Sequence, residues 1–226
     1  GGGAAILPSV SARWQAITGQ FIREGYGLSE TSPVVAFNPA SVTAFSGSTG
    51  LPLPSTDVLL LDDHGHPVPL GQPGEVCVKG PQVMGGYWQQ PEANAAAFTP
   101  DGYFRTGDIG QLDERGFLKI VDRKKDMVIV SGFNVFPNEV ETVATACPGV
   151  LECACIGVPD EKTGEALRLY VVRAAGTAPP VDADQIAAHC RAAFTPYKVP
   201  RQIVFVEALP KSSVGKILRR ELRDME

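Results

Sequence analysis

Residues 101–137 read DGYFRTGDIGQLDERGFLKIVDRKKDMVIVSGFNVFP, and this stretch joins two halves of different texture. Before it run short alternating segments broken by Gly, Pro and Asp; after it come longer strands and helices that end in PKSSVGKILRREL. At its centre stand Asp122, Arg123, Lys124, Lys125 and Asp126, five consecutive charges between the apolar runs 117–121 and 127–130. Charges in such a run are not expected in a core, so the pattern predicts a solvated connector between two strands, a charged hairpin turn on pattern alone.

Downstream of the connector, MVIV and FNVF are expected to pair about Ser131-Gly132, and Pro137 to open the helix PNEVETVATAC with acids near its start. GVLECACIGVP and ALRLYVVRA read as strands, DADQIAAHCRAAF as a helix and QIVFVEA as a third strand, with FTPYKVP a proline-bracketed turn. These lengths suit a compact α+β domain of about one hundred residues. The tail sets Lys211 and Lys216 around a Ser-Ser-Val-Gly loop, where Gly215 would let the loop enter a cleft and Lys216 meet an anion as a point charge. Arg219, Arg220 and Arg223 read as a solvated basic helix whose charge suits its C-terminal dipole.

Upstream, DVLLLD, GEVCVKG, GDIGQLD and FLKIVD read as strands of a small β-subdomain, with a short helix near PEANAAAF. In GYFRTGD, Asp108 follows a Thr-Gly turn at a strand start, where its carboxylate could accept hydrogen bonds from a ribose diol or simply close the turn. SVSARWQAITG predicts a helix capped by Ser9 or Ser11, with Val10, Trp14 and Ile17 at helical spacing and Gly19 as its stop. A strand over residues 20–23 then empties into EGYGLSETSP, a loop carrying Tyr26, Ser29, Glu30 and Thr31. That loop offers an aromatic face for a base, hydroxyls for phosphate oxygens and a carboxylate for a hard cation; an ordinary polar turn is the plainer reading. The opening GGGAAI allows close backbone approach to a ligand or serves as a flexible linker.

With 226 residues, 44% of them hydrophobic, the chain can bury a core and hold more than one domain or subdomain. A net charge of −5 gives no support for nucleic-acid binding. The five cysteines include no CxxC pair, and the three histidines fall in no nucleophile–base pattern, so neither a zinc site nor a disulfide framework is expected. Cys153 and Cys155 are expected on one face of a strand as small packing residues. No apolar run reaches the roughly 20 residues of a membrane span and no signal peptide heads the chain, so it reads as soluble and cytoplasmic. Starting at Gly1, inside what looks like a loop, it reads as a fragment of a longer polypeptide.

The order EGYGLSETSP, GYFRTGD, DRKKDMVIVSGFNVFPNEVE, PKSSVGKILRREL resembles the adenylate-forming acyl-CoA synthetases along the whole chain. DGYFRTGDIGQLDERGFLKIVDRKK is similar to the fatty acyl-CoA synthetase signature, and VKGPQVMGGYWQQP with SGFNVFPNEVE to the bacterial long-chain fatty acid–CoA ligases. The resemblance implies a mixed α/β and α+β chain: residues 1–121 as the end of a large AMP-binding domain, 122–125 as a hinge and 126–226 as a small α+β lid. Within the first part, 1–46 would be an α/β remnant and 47–121 a small β-barrel-like subdomain. The Ser/Thr/Gly-rich, lysine-ending phosphate loop of that family does not occur in this chain, so the fragment alone is expected to be inactive.

The resemblance also implies a two-step reaction. A fatty carboxylate attacks the α-phosphate of ATP to give acyl-AMP and pyrophosphate, and the CoA thiol then displaces AMP. Tyr26, with Gly27 beside it, would stand at adenine, Thr31 at phosphate and Glu30 on Mg²⁺; Asp108 and Arg123 would bind the ribose hydroxyls. Gly2, Gly3 and Ala4 would line the wall between the acyl and nucleotide pockets. Lys216 would be the catalytic lysine of the first step and Lys125 the hinge. Rotation about that hinge would withdraw Lys216 and bring up Gly132, Phe133 and Asn134 for CoA. A fatty substrate leaves room for peripheral membrane contact, though no amphipathic anchor is evident, and chain length and oligomeric state stay open. Aryl-CoA ligation, a luciferase-like oxidation of the adenylate, or a non-catalytic nucleotide- or partner-binding fragment are the competing readings.

Overall fold

The computed structural model describes residues 1–3, 6–176, 179–213 and 215–225, and it divides into two compact units, Gly1–Lys124 and Lys125–Glu226. Among the described residues, no helix is long and apolar enough to cross a membrane.

The first unit opens with α1 (Pro8–Thr18), whose start is set by Pro8 in the first turn after Leu7, and which ends at a left-handed Gly19. Neither serine caps it: Ser11 is buried and its hydroxyl has no partner among the described residues. The expected apolar stripe does not face a core either, since Val10, Trp14 and Ile17 are 50%, 50% and 80% exposed. The strand expected at residues 20–23 lies instead at β1 (Gly25–Gly27). A strand exists only where a partner runs beside it, and β2 (Val34–Phe37) pairs with β1 from Gly25 onward. β3 (Leu51–Pro52) completes a three-stranded antiparallel sheet.

A second sheet is an antiparallel meander of β4 (Asp57–Leu61), β5 (Gly74–Lys79), β6 (Phe104–Leu112) and β7 (Leu118–Arg123), with helix α2 (Pro91–Ala97) between β5 and β6. It is open rather than barrel-like, because β4 and β7 are its two ends and do not pair. The two sheets share a core in which Val35 and Ala36 of β2 meet Leu60, Val76, Val78 and Leu118.

In the second unit, β8 (Val128–Val130) and β9 (Phe133–Val135) form the expected hairpin. Ser131 and Gly132 take φ of 52° and 82° at its turn, the left-handed pair that matches strand twist. Helix α3 (Pro137–Thr145) follows, then the long hairpin of β10 (Val150–Asp160) and β11 (Gly164–Arg173), α4 (Ala183–Ala193), β12 (Gln202–Phe205) and the short α5 (Arg219–Arg223). β11 pairs with β10 and β8 antiparallel and with β12 in parallel.

Both faces of this sheet are covered, which accounts for the nearly unbroken apolar run of LECACIGV. Cys153 and Cys155 face α3 and α4, packing with Val140, Ala144, Ile186 and Cys190. Ala154 and Ile156 face the other way, against Leu209 and Leu222.

The five-charge connector is not uniformly solvated. Asp122 and Asp126 are 1% and 6% exposed, and Asp122 and Arg123 continue β7. Lys124 Nζ sits 2.9 Å from Asp63 and 3.1 Å from Glu75 within the first unit, while Asp126 Oδ1 lies 2.8 Å from Arg223 in the second. An opposite charge brought in by another element allows Asp126 to be buried, and pattern along the chain carries no trace of it. Between the tethered Lys124 and Asp126, Lys125 is exposed and its side chain has no hydrogen bond or ion pair among the described residues.

Candidate functional site

In the first unit the sheets gather side chains that lie far apart in sequence. Tyr26, on β1, donates its hydroxyl to Asp108 Oδ2 on β6 at 2.6 Å, across 82 residues. Asp108 stands directly opposite Arg123 of β7 in the ladder. It lies within β6, not at a strand start, because the strand begins at Phe104. The Thr-Gly turn read from sequence is an irregularity inside the strand: three residues of β6, Thr106 to Asp108, oppose the single Val76 of β5. Gly107 takes φ +71°, and Thr106 Oγ1 pins the bulge by donating to Val76 O at 2.8 Å. Bulges re-aim side chains, and this one presents Asp108 to Tyr26. Burial first, and then the neighbouring Asp108 carboxylate, push the Tyr26 phenol far above its usual range, so it remains a hydrogen-bond donor.

Glu30 lies in the short helical turn Ser29–Thr31 that follows β1. Its Oε1 accepts from the Tyr87 hydroxyl at 3.1 Å, its backbone carbonyl accepts from Met84 N at 2.8 Å, and Oε2 has no protein partner among the described residues. Burial and the Glu30 carboxylate raise the Tyr87 phenol. Among the described residues no cluster of three or more metal-type side chains exists. One carboxylate with an open oxygen fits Mg²⁺, which usually takes one or two carboxylates and completes its shell with water and substrate phosphates.

Thr31 departs from its expected use. It is fully buried, and its hydroxyl is spent on the turn, donating to Pro33 O at 2.6 Å and accepting from Leu28 N at 3.1 Å. The exposed hydroxyl beside Glu30 is that of Ser29; its carbonyl accepts from Ser32 N, and the hydroxyl itself has no partner among the described residues. Gly27 is required for close packing, since a Cβ there would stand 1.9 Å from Pro33 O. Gly2 and Gly3 are exposed beside the start of β1, where Gly25 N donates to Gly1 O at 3.0 Å, while Ala4 lies outside the described residues.

In the second unit, Gly132, Phe133 and Asn134 form the exposed tip of the β8–β9 hairpin, and Phe133 stacks on Tyr197 with centroids 4.6 Å apart. Lys216 is half-buried on a tight reversal closed by Lys211 bridging Ile217; its carbonyl accepts from Ser212 N at 2.8 Å and its amide donates to Ser212 Oγ at 3.2 Å. The tail arginines are not all solvated, as the sequence suggests. Arg220 is exposed, whereas the Arg219 side chain is 16% exposed and clamped on Glu141 of α3. Tyr87 and Glu141 escaped the sequence reading because their partners are 57 and 78 residues away. Ser29 was readable as a hydroxyl beside Glu30, but its exposure was not.

Residues 1–88 match the AMP-binding enzyme family and residues 139–216 the AMP-binding enzyme C-terminal domain. The long-chain-fatty-acid–CoA ligase of Yersinia pestis is 54% identical over 226 residues, all of this chain and 40% of that protein. The ligase of the same name from Escherichia coli O6:H1 is 53% identical over 224 residues, 99% of this chain and 39% of that protein. The chain thus spans about two-fifths of the length of these relatives. Among solved structures, ATP-bound MatB from Rhodopseudomonas palustris superposes with a TM-score of 0.93 at 38% identity, over 99% of this chain and 44% of that one. Sequence and fold agree, and the chain belongs to the adenylate-forming AMP-binding enzymes.

Proposed function

We propose that this chain is the C-terminal portion of a long-chain fatty acid–CoA ligase that makes acyl-AMP from a fatty acid and ATP and then passes the acyl group to CoA. The observation that carries the reading is the convergence of Tyr26, Asp108 and Arg123, which puts an aromatic ring, a carboxylate and a guanidinium together as a nucleoside requires. The identity to ligases named for long-chain fatty acids supports the substrate class.

Tyr26 faces adenine, and Asp108 with Arg123 holds the ribose diol. Ser29 donates to phosphate, a role that Thr31, spent on its own turn, leaves open. Glu30 would hold Mg²⁺ through its carboxylate, and the bound ion would supply charge neutralisation at the phosphate oxygens. In the first step the fatty carboxylate oxygen bonds to the α-phosphorus as the bond to pyrophosphate breaks. Lys216 offsets the repulsion between the two anions, an interaction stronger in the transition state than before it. In the second step the CoA thiolate sulfur bonds to the acyl carbon and AMP leaves, served by Gly132, Phe133 and Asn134. Lys125 is the hinge between the steps: its neighbours are bound to their own units, so rotation at Lys125 breaks no side-chain contact of its own. Contact of the whole protein with a membrane surface, from the cytoplasmic side, fits a fatty substrate.

The test is carboxylate-dependent ATP–pyrophosphate exchange with palmitate in the whole protein. Lys216→Ala is expected to lower exchange by about 100- to 1,000-fold while sparing thioester formation from supplied acyl-AMP. Equal loss of both steps would refute the division of labour.

A further inference from the structure

The tail that carries Lys216 is too short to hold itself. α5 spans only Arg219–Arg223, and its start has no side-chain cap. Leu222 buries itself against the sheet, the Tyr170 hydroxyl donates to Leu222 O, and Lys211 pairs with Glu152 where the loop begins; on the other side of Lys216 the loop is held by ionic contacts within the second unit, centred on Arg219, the third residue after Lys216. Arg219 Nη2 lies 2.8 Å from both Glu141 carboxylate oxygens and 2.7 Å from Asn138 Oδ1, and Nε lies 3.2 Å from Glu141 Oε1. Glu141 is itself fixed, because its Oε1 accepts from Cys155 N on β10 at 2.8 Å. On its other side Arg219 Nη1 is 3.7 Å from Asp126, which Arg223 also grips at 2.8 Å. Asp126 directly follows Lys125. One guanidinium therefore ties the Lys216 segment to α3, through α3 to the sheet, and to the first anchored residue after Lys125.

We infer that Arg219 is the positioning residue of Lys216: the Asp126–Arg219–Glu141 contacts make the lysine loop move as one rigid piece with the residue that follows Lys125. This rests on the proposed role of Lys216 and deepens it. A planar fork can meet two carboxylates and an amide oxygen at fixed angles, which a lysine ammonium cannot, so charge alone is not enough at this position. With the fork lost, Lys216 keeps its charge and loses its place.

The experiment uses the whole protein with Arg219→Lys, and Asn138→Ala as a milder variant that removes one of the same contacts. Adenylation by pyrophosphate exchange is expected to fall on the order of 100-fold for Arg219→Lys. The KM for ATP and thioester formation from supplied acyl-AMP stay unchanged, and Asn138→Ala shifts the same way by less. In a Lys216→Ala background, Arg219→Lys should cause no further loss, since a residue acting through the lysine has nothing left to place. Amide exchange over residues 211–217 should quicken while β10 and β11 stay protected. Equal loss of both steps, losses that multiply with Lys216→Ala, or unchanged exchange at 211–217 would each overturn the inference alone. A Lys216→Ala protein with full adenylation would instead overturn the catalytic reading of the lysine, and the inference with it.

Discussion

The two units hold their candidate side chains by different means. In the first, Tyr26, Asp108 and Arg123 stand on paired strands, so backbone ladders and one bulge set their spacing. In the second, Lys216 and the Gly132–Asn134 tip stand on turns, and the Lys216 reversal is closed by the Lys211–Ile217 bridge with ion pairs on either side. A ladder suits groups that hold one ligand in one place throughout a reaction. Turns on a separately folded body suit groups that serve one step and then give way, provided that something stiffens the body from within.

The comparison can be broken most sharply at Asp108. Asp108→Ala removes the acceptor of Tyr26 and the charge facing the ribose, and should weaken nucleotide binding in the whole protein by roughly 10- to 100-fold, read as ATP affinity. If affinity is unchanged, the strand-borne group does not hold nucleotide.

A smaller and more discriminating effect lies at neighbouring hydroxyls. Thr31→Val should destabilise the first unit by about 0.5–1.5 kcal/mol in denaturant unfolding, since the turn loses the bonds of the hydroxyl while Leu28 N–H keeps its own bond to the Pro33 carbonyl at 2.9 Å. Ser29→Ala should leave stability unchanged and raise the KM for ATP. The opposite pattern would return the phosphate contact to Thr31.

An effect seen only as a function of pH is expected from Glu24, a buried carboxyl of the first unit whose Oε2 has no partner among the described residues. Burial raises it from 4.5 to about 7, against the lowering influence of the Gly47 amide. The folded form therefore binds this proton more tightly than the unfolded chain does. Its contribution to stability is present in full below pH 4.5 and is lost as pH rises through about 7. Glu24→Gln should flatten the thermal stability profile of the first unit across that window, with no corresponding change in the second; an unaltered slope would remove the assignment.

Most of the second unit was legible before any coordinates. The β8–β9 hairpin about Ser131-Gly132, the helix opening at Pro137 and the strands around LECACIGV announce themselves through turn chemistry, proline and length, all of which act locally. The first unit was harder to read. The helical spacing of Val10, Trp14 and Ile17 predicted α1 correctly but not its exposed face. The strand near residue 20 slid to Gly25–Gly27 because its partner β2 fixed the pairing.

By itself the sequence determined which residue types were present in motif order, and with them the family and the identities of Tyr26, Glu30, Asp108, Arg123 and Lys216. Folding alone brings out that Asp108 bulges out of β6 toward Tyr26, that Thr31 is consumed by its own turn while Ser29 is exposed, that Asp122 and Asp126 are buried and that Arg219 is clamped on Glu141. Motifs record local chemistry, whereas the partner that satisfies a buried charge or hydroxyl arrives from elsewhere in the chain, and only folding brings the two within bonding distance.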